Sequence, residues 1–245
     1  MQRRDILRAG CGLVGTAILM GCGKHAADTT SMDLPILYPD VPKLSGYPPE
    51  RRVVHQLLEE LRLSYEARGS RVSGGLKAAL SENEIDERCA WFPGTLAEEI
   101  YSLYSWRGGQ EISSEDQSPF WFRDVIFSTP EAAALQYKSM IETYGKLMPQ
   151  SLVGVDLSFC FPFAAFSGGW YVFPCAGQAL NRRFSRPIIS VLQGVDAYYN
   201  SLDSLLKTCI AWVKHPAYGS QGRAWDEVEM EIWERLNPGV FEKEG

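Results

Sequence analysis

The sequence predicts an α+β fold, in which a mixed or antiparallel sheet of about four to six strands packs with helices in a single domain. Two observations predict it. Segments with the periodicity of amphipathic helices lie towards both ends of the chain, and segments rich in aromatic and β-branched residues lie between them. These segments also lack the regular alternation of a doubly wound parallel sheet. With 245 residues, 45% of them hydrophobic, the chain is long enough to bury a sizeable core.

A first amphipathic helix is predicted between Pro49 and Arg68, because non-polar residues recur there every three or four positions. This stripe consists of Val54, Leu57, Leu58, Leu61 and Tyr65. The segment that follows, residues 76–92, has a weaker helical pattern. Breaks are expected before it at Gly74-Gly75 and within it at Asn83.

The next helix is predicted to begin at a capping box formed by Thr95 and Glu98, whose side chains would satisfy the first unpaired backbone amides. Its non-polar side would carry Leu96, Ile100, Leu103 and Tyr104. The helix is expected to stop at Gly108-Gly109, because paired glycines are typical of a helix end.

The periodicity then changes from helical to extended. FWFRDVIF, residues 120–127, predicts a strand, and the Ser-Thr-Pro-Glu sequence after it predicts the start of a helix over about residues 130–145. The segments FCFPFAAF and WYVFPC lie on either side of Ser167-Gly168-Gly169, which predicts a β-hairpin.

A further strand and two helices complete the predicted domain. PIISVLQG, residues 187–194, predicts a strand that begins at a proline. A helix capped by Ser201 is predicted from its non-polar stripe, Leu202, Leu205, Leu206, Cys209, Ile210 and Val213. A final helix is predicted between about Arg223 and Leu236, ahead of Pro238.

The N-terminal segment RRDILRAGCGLVGTAILMGC, residues 3–22, resembles a bacterial lipoprotein signal peptide. Arg3 and Arg4 resemble a twin-arginine export motif, and the resemblance makes Cys22 the lipidated residue after cleavage of residues 1–21. Residues 22–49 then form a lipid-anchored tether, residues 50–237 the domain and residues 238–245 a tail. The alternatives are an ordinary secretory signal or an uncleaved anchor, and a tether whose second half packs back onto the domain.

The composition limits the partners. A net charge of −6 gives the chain no electrostatic attraction to nucleic acid. Four cysteines follow Cys22, and an exported chain can form disulfides. Cys160 and Cys175 are the best candidate pair, because both lie beyond the ends of the predicted hairpin; alternatively, all four cysteines are small core residues. The spacing of cysteines and histidines indicates no metal site, and no cofactor is expected.

The residues favour a protein without catalytic activity. Beyond the tether, the only histidines are His55, beside the stripe of the first helix, and His215, at a helix end. His55 is expected to be a partly exposed helix residue, and His215 is expected to be structural, since a cation suits a helix C-terminus. Glu59-Glu60 and Glu98-Glu99 are adjacent on helices, so their carboxylates point apart and cannot act as an acid/base pair. The remaining hypothesis for an enzyme is a pair of carboxylates that the fold brings together, as in a glycosidase.

Taken in order, several segments of the domain resemble the SUKH superfamily, which is related to fungal cell-wall-synthesis regulators. These segments are LAEEIYSLYSWRGG, STPEAA, the FPFAAFSGGWYVF hairpin, PIISV and NSLDSLLKTCIAWV, and the resemblance covers about residues 50–215. The family pattern closes a helix with Leu-Tyr followed by a Gly pair, as at Leu103-Tyr104 and Gly108-Gly109. Arg107-Gly108-Gly109 replaces the usual Asn-Gly, and the last helix lies outside the pattern.

The resemblance implies a binding module without catalytic residues. Many bacterial members look like immunity proteins, each of which neutralises one toxin. An exported, monomeric member would meet its toxin in the cell envelope, on the periplasmic or extracellular face of the membrane that holds the lipid anchor. The alternatives are an envelope scaffold or regulatory lipoprotein without a toxin partner, and an envelope hydrolase.

An acidic loop after the Gly pair is the predicted surface for a protein partner. Glu111, Glu115 and Asp116 would attract a basic toxin, and the nearby Trp121 would supply an aromatic anchor. The alternative is a solvated loop with Trp121 in the core.

Overall fold

In this computed structural model of the protein, the described residues are 50–111, 120–121, 125–144, 156–166, 168–175, 187–192, 195–219, 223–238 and 240. The predictions for the signal peptide and tether, including Arg3, Arg4 and Cys22, lie outside the described residues, as do Glu115 and Asp116. Within the described part of the chain, none of the helices combines the length and hydropathy of a membrane-spanning segment.

The centre of the domain is a five-stranded sheet in which every neighbouring pair of strands is antiparallel. Its strands, in the order in which they lie side by side, are β1 (Ile126–Phe127), β2 (Cys160–Phe166), β3 (Gly169–Pro174), β4 (Ile188–Val191) and β5 (Val195–Tyr199). Each strand therefore pairs only with its neighbours along the chain. Together with the helices, this sheet confirms the predicted α+β fold class.

Six α-helices surround the sheet in the described residues: α1 (Arg51–Glu66), α2 (Glu82–Arg88), α3 (Glu98–Trp106), α4 (Pro130–Tyr144), α5 (Leu202–Lys214) and α6 (Arg223–Leu236). Two short 3-10 helices occupy Val72–Gly75 and Leu157–Phe159. The helices predicted from the clearest stripes, α1, α4, α5 and α6, are confirmed with bounds within about two residues. Ser201 caps α5 as predicted, since its hydroxyl accepts a hydrogen bond from the backbone N–H of Ser204.

The sheet is buried on both faces. One face contributes the rings of Phe161, Phe163 and Phe173 to the main core, which also contains buried residues of α1, α3, α5 and α6. On the other face, Cys160, Val172, Ile189 and Val191 pack with Met140 of α4 and Leu157. A bulge between Pro162 and Ala164 in β2 interrupts the alternation, so that Phe161, Phe163 and Ala164 all join the main core.

The Gly108-Gly109 segment runs as an extended chain between two backbones. Gly108 donates its N–H to the carbonyl of Ala78 at 2.8 Å, and the next residue but one, Gln110, donates its own to Phe127 of β1 at 2.7 Å. A Cβ on Gly109 would lie 2.6 Å from the Cα of Thr129, and Gly109 has a φ of +99°. Only glycine fits this position without a shift of the backbone.

Three local predictions were wrong. Of the predicted strand over 120–127, the described residues form strand at Ile126–Phe127, whereas Phe120 and Trp121 lie in a bend and the N–H of Trp121 donates to Val125 O at 3.1 Å. The helix start at Thr95 has no side-chain cap, because α3 begins after Ala97. The break at Asn83 is absent: this residue lies inside α2, which a Ser81–Glu84 capping box starts.

The predicted disulfide between Cys160 and Cys175 does not form in the structure, where these two and the other described cysteines, Cys89 and Cys209, are thiols. Cys160 pairs with Pro174 across β2 and β3, so Cys175 is one residue beyond the position opposite Cys160. Successive side chains of a strand point to opposite faces. Cys160 accordingly joins the cluster around Met140, whereas Cys175 joins the main core.

Candidate protein-binding surface

Trp121 is not a surface anchor. Only 2% of the residue is exposed, and its ring makes edge-to-face contacts with Phe120 at 5.0 Å and Phe163 at 6.0 Å between centroids. The prediction that Trp121 contacts a partner is therefore wrong, and the alternative, a core tryptophan, is correct. Glu111 is exposed and forms an ion pair with Lys77, whose hydrogen bond lowers the pKa of the carboxyl.

The two histidines in the described residues make contacts within the fold. His55 Nε2 lies 2.9 Å from Ser102 O and 3.2 Å from Ser105 Oγ, which connects α1 to α3. His215 ends α5, and its Nδ1 accepts a hydrogen bond from the N–H of Ala217 at 3.2 Å. Among the described residues, there is also no group of His, Cys, Asp and Glu side chains that could hold a metal ion.

Arg51 holds the first turns of three helices together. Its Nε donates to Glu98 at 2.5 Å, its Nη1 donates to Glu82 at 2.5 Å, and its guanidinium lies over the ring of Tyr101, 5.7 Å from the centroid. The hydrogen bond to Glu98 is the main cause that raises the pKa of Arg51. Glu98 therefore serves as an ion-pair partner in the fold.

A shallow groove lies on the outer side of α1, and we call it the α1 groove. It is lined at one end by Gln56, Glu59, Glu60, Leu63, Ser64, Ala67, Arg68, Val213 and Lys214, and at the other by Arg52, His55, Gln56, Glu59, Trp106 and Arg107. The two ends share Gln56 and Glu59, so the groove follows α1 over most of its length. Its far wall is the end of α5 at one end and the end of α3 at the other.

The α1 groove exposes a large non-polar side chain. Leu63 is 52% exposed. Val53, which also lies on α1 outside the core stripe, is 38% exposed. The only other large non-polar residue of the described chain with such exposure is Leu135 on α4, at 72%. A second stripe on α1, Val53, Gln56, Glu60, Leu63 and Ala67, has helical spacing and faces away from the core.

The charged residues of the groove fall into two sets. In the first, each charge has a partner within the domain: Arg62 holds Glu59 at 2.5 Å and Glu66 at 2.6 Å, and Lys214 holds Glu60 at 2.5 Å. The hydrogen bond from Arg62 is the main cause that lowers the pKa of Glu59.

The second set consists of Arg52, Arg68 and Arg107. None of their guanidiniums forms an ion pair with a carboxylate of the described residues. Arg107 donates to Trp106 O at 2.8 Å and lies 5.3 Å from the centroid of the Trp106 ring, and Arg68 donates to His215 O at 2.7 Å. The groove thus carries three arginines without an ion-pair partner among the described residues, although the charge of Arg107 contributes to the lowered pKa of Glu59.

Comparison with known proteins returned no relative: no family model matches this chain, and no curated protein matches it in sequence.

The α1 groove was not predicted from the sequence. Its signal is the second, outward stripe of α1, which includes Val53 and Leu63 and is visible once the buried stripe has been assigned.

Proposed function

We propose that this protein is an exported lipoprotein whose α+β domain binds another protein and catalyses no reaction. The specific function we propose is immunity, in which the domain neutralises a toxin that acts on the bacterial envelope. The signal-like sequence up to Cys22 and the SUKH-like segments of the domain support this proposal.

The α1 groove is the observation that carries the proposal. It has a half-exposed leucine at one end and, at the other end, two arginines that have no carboxylate partner among the described residues. Interfaces between proteins are enriched in arginine and in non-polar side chains at their centres. The candidate acid/base groups, in contrast, are engaged in the fold, as the His55–Ser102 and Arg51–Glu98 contacts show.

The test is capture followed by protection. The protein is used as bait for secreted and envelope proteins of its own strain and of sibling strains, and each captured partner is produced in the envelope of a sensitive strain. We expect one stoichiometric partner that kills these cells, and survival when the protein is produced with it. Recovery of resident wall-building proteins, without toxicity, would overturn immunity.

Two matched variants locate the effect. Leu63→Glu changes the α1 groove, and Leu135→Glu makes the same change at an exposed leucine on α4, which packs mainly against β2. We expect Leu63→Glu to abolish capture and protection, and Leu135→Glu to preserve both.

Cys22→Ala removes the thiol that would be lipidated, so we expect the precursor to remain unprocessed by the lipoprotein peptidase.

A further inference from the structure

We propose that the α1 groove binds a segment of the partner protein that presents carboxylates towards one end and a large non-polar side chain towards the other. This inference rests on the proposed function, because it names the surface and the chemistry of the same protein-binding activity. It reverses the sign expected from the acidic loop, which predicted a basic partner.

Charge complementarity carries the argument. The whole chain has a net charge of −6, yet Arg52 and Arg107 line the same end of the groove and have no carboxylate partner in the described residues. The acid that lines the same end, Glu59, is bonded to Arg62 at 2.5 Å, and its pKa is lowered mainly by that hydrogen bond and to a smaller extent by the charge of Arg107. A ligand carboxylate can therefore pair with either arginine, and bidentate pairing to arginine is favourable.

The non-polar part of the ligand is fixed by the other end of the groove. Leu63 and Ala67 on α1 and Val213 on α5 supply hydrocarbon there, whereas Lys214 and Glu60 neutralise each other at 2.5 Å. A basic ligand would meet Arg52 and Arg107 without compensation and would be repelled. The groove therefore selects an acidic, amphipathic segment.

The length of the groove sets the size of that segment. Arg52 and Ala67 are 15 residues apart along α1, which corresponds to about 22 Å at the helical rise. A helix of about four turns or an extended peptide of about seven residues spans this distance. Helix-in-groove recognition of this kind places its anchors at helical spacing.

The experiment is a selection from a displayed library of random 16-residue peptides on the full-length protein. The enriched peptides are then synthesised, and their affinities are measured by fluorescence anisotropy. Four proteins are compared: wild type, Arg52→Glu/Arg107→Glu, Arg52→Gln/Arg107→Gln and the control Lys138→Glu, which reverses an exposed charge on α4. Circular dichroism establishes that each variant is folded.

We expect enriched peptides that combine Asp or Glu with a large non-polar residue. Their affinity should fall at least tenfold in the Glu double variant, less in the Gln double variant, and by no more than twofold in Lys138→Glu. The affinity of these peptides should also fall as the salt concentration rises, because the exposed ion pairs are screened. Enrichment of basic peptides, peptides insensitive to both double variants, or no enrichment would overturn the inference.

Two other occupants are also tested. If the wild-type protein dimerises in analytical ultracentrifugation and the Glu double variant does not, the occupant is a second copy. If a synthetic peptide of residues 31–43 binds with the same sensitivity to the double variant, the occupant is the chain's own N-terminal segment. Either result overturns the partner segment as the ligand.

Failure here is distinguishable from failure of the proposed function. A toxin that is captured and neutralised equally well by the Glu double variant leaves immunity intact and refutes the groove. Acidic peptides that bind the groove, in a protein that captures no toxin, establish the surface and refute immunity.

Discussion

Replacement of Gly109 tests the packing of the extended segment that follows α3. Gly109 has a φ of +99°, and a Cβ there would lie 2.6 Å from both the N and the Cα of Thr129. Gly69 provides the matched control, because its φ is +80° but an added Cβ would have no atom within 4 Å. Gly109→Ala and Gly69→Ala therefore share the backbone strain and differ in the steric contact.

The expected losses in the free energy of unfolding follow from the backbone strain and the steric contact. A left-handed backbone costs a non-glycine residue about 1–2 kcal/mol, and the smaller entropy of the unfolded alanine chain offsets about 0.4–1 kcal/mol. Gly69→Ala should therefore cost about 1 kcal/mol. Overpacking adds about 1–3 kcal/mol, which brings Gly109→Ala to about 3 kcal/mol.

Urea unfolding, followed by tryptophan fluorescence, measures both variants. For a denaturant slope of about 2 kcal/mol per molar, the midpoint should fall by about 0.5 M in Gly69→Ala and about 1.5 M in Gly109→Ala. Equal shifts in the two variants would refute the reasoning, because residue 109 would then not lie against the backbone of Thr129.

Three further predictions concern the core and the ion pairs. Burial is the main cause that raises the pKa of Cys89 to about 12, and the other three thiols of the domain are buried as well. We therefore expect all four thiols to resist iodoacetamide at pH 8 until urea unfolds the protein. Labelled peptides from the native protein, detected by mass spectrometry, would contradict this. The pKa of Glu59 is lowered mainly by Arg62, so its contribution to stability is present above about pH 4.3 and is lost as the pH falls through the lower folded-state pKa. Glu59→Gln should therefore flatten the dependence of the urea midpoint on pH between about 5 and 3, and an unchanged slope would disprove this. Asn237, 1% exposed, donates to Thr208 Oγ1 at 3.1 Å, so Asn237→Leu should lower the free energy of unfolding by about 2 kcal/mol, and a loss below about 0.5 kcal/mol would show that the contact is dispensable.

Sequence patterns predicted the elements in which one face is buried and the other is exposed. α1 and α5 have stripes that the structure buries against each other, and the hairpin of β2 and β3 turns where the glycines predicted it. β5 was not predicted, because Val195–Tyr199 follows a Gln-Gly pair and is too short to show a period of two before α5 begins. Short edge strands owe their conformation to the partner strand rather than to their own sequence.

The predictions for Trp121 and for a cap at Thr95 and Glu98 failed because local sequence could not report tertiary contacts. Trp121 lies beside an acidic loop in the sequence, but Phe120 and Phe163 enclose its ring in the core. Glu98 has capping-box spacing to Thr95, but its carboxylate pairs with Arg51, 47 residues away along the chain. The α1 groove likewise has its far wall in the ends of α3 and α5, which the outward stripe of α1 cannot reveal by itself.

The ion pairs of Arg51 with Glu82 and Glu98 have a mechanical consequence. A pull on Glu50 acts on the first turn of α1, where Glu50 provides no side-chain cap. An uncapped helix end under load would peel away one turn at a time. Because Arg51 is bonded to Glu82 and Glu98, the same pull is shared at once with the first turns of α2 and α3. The domain is therefore reinforced where α1 begins.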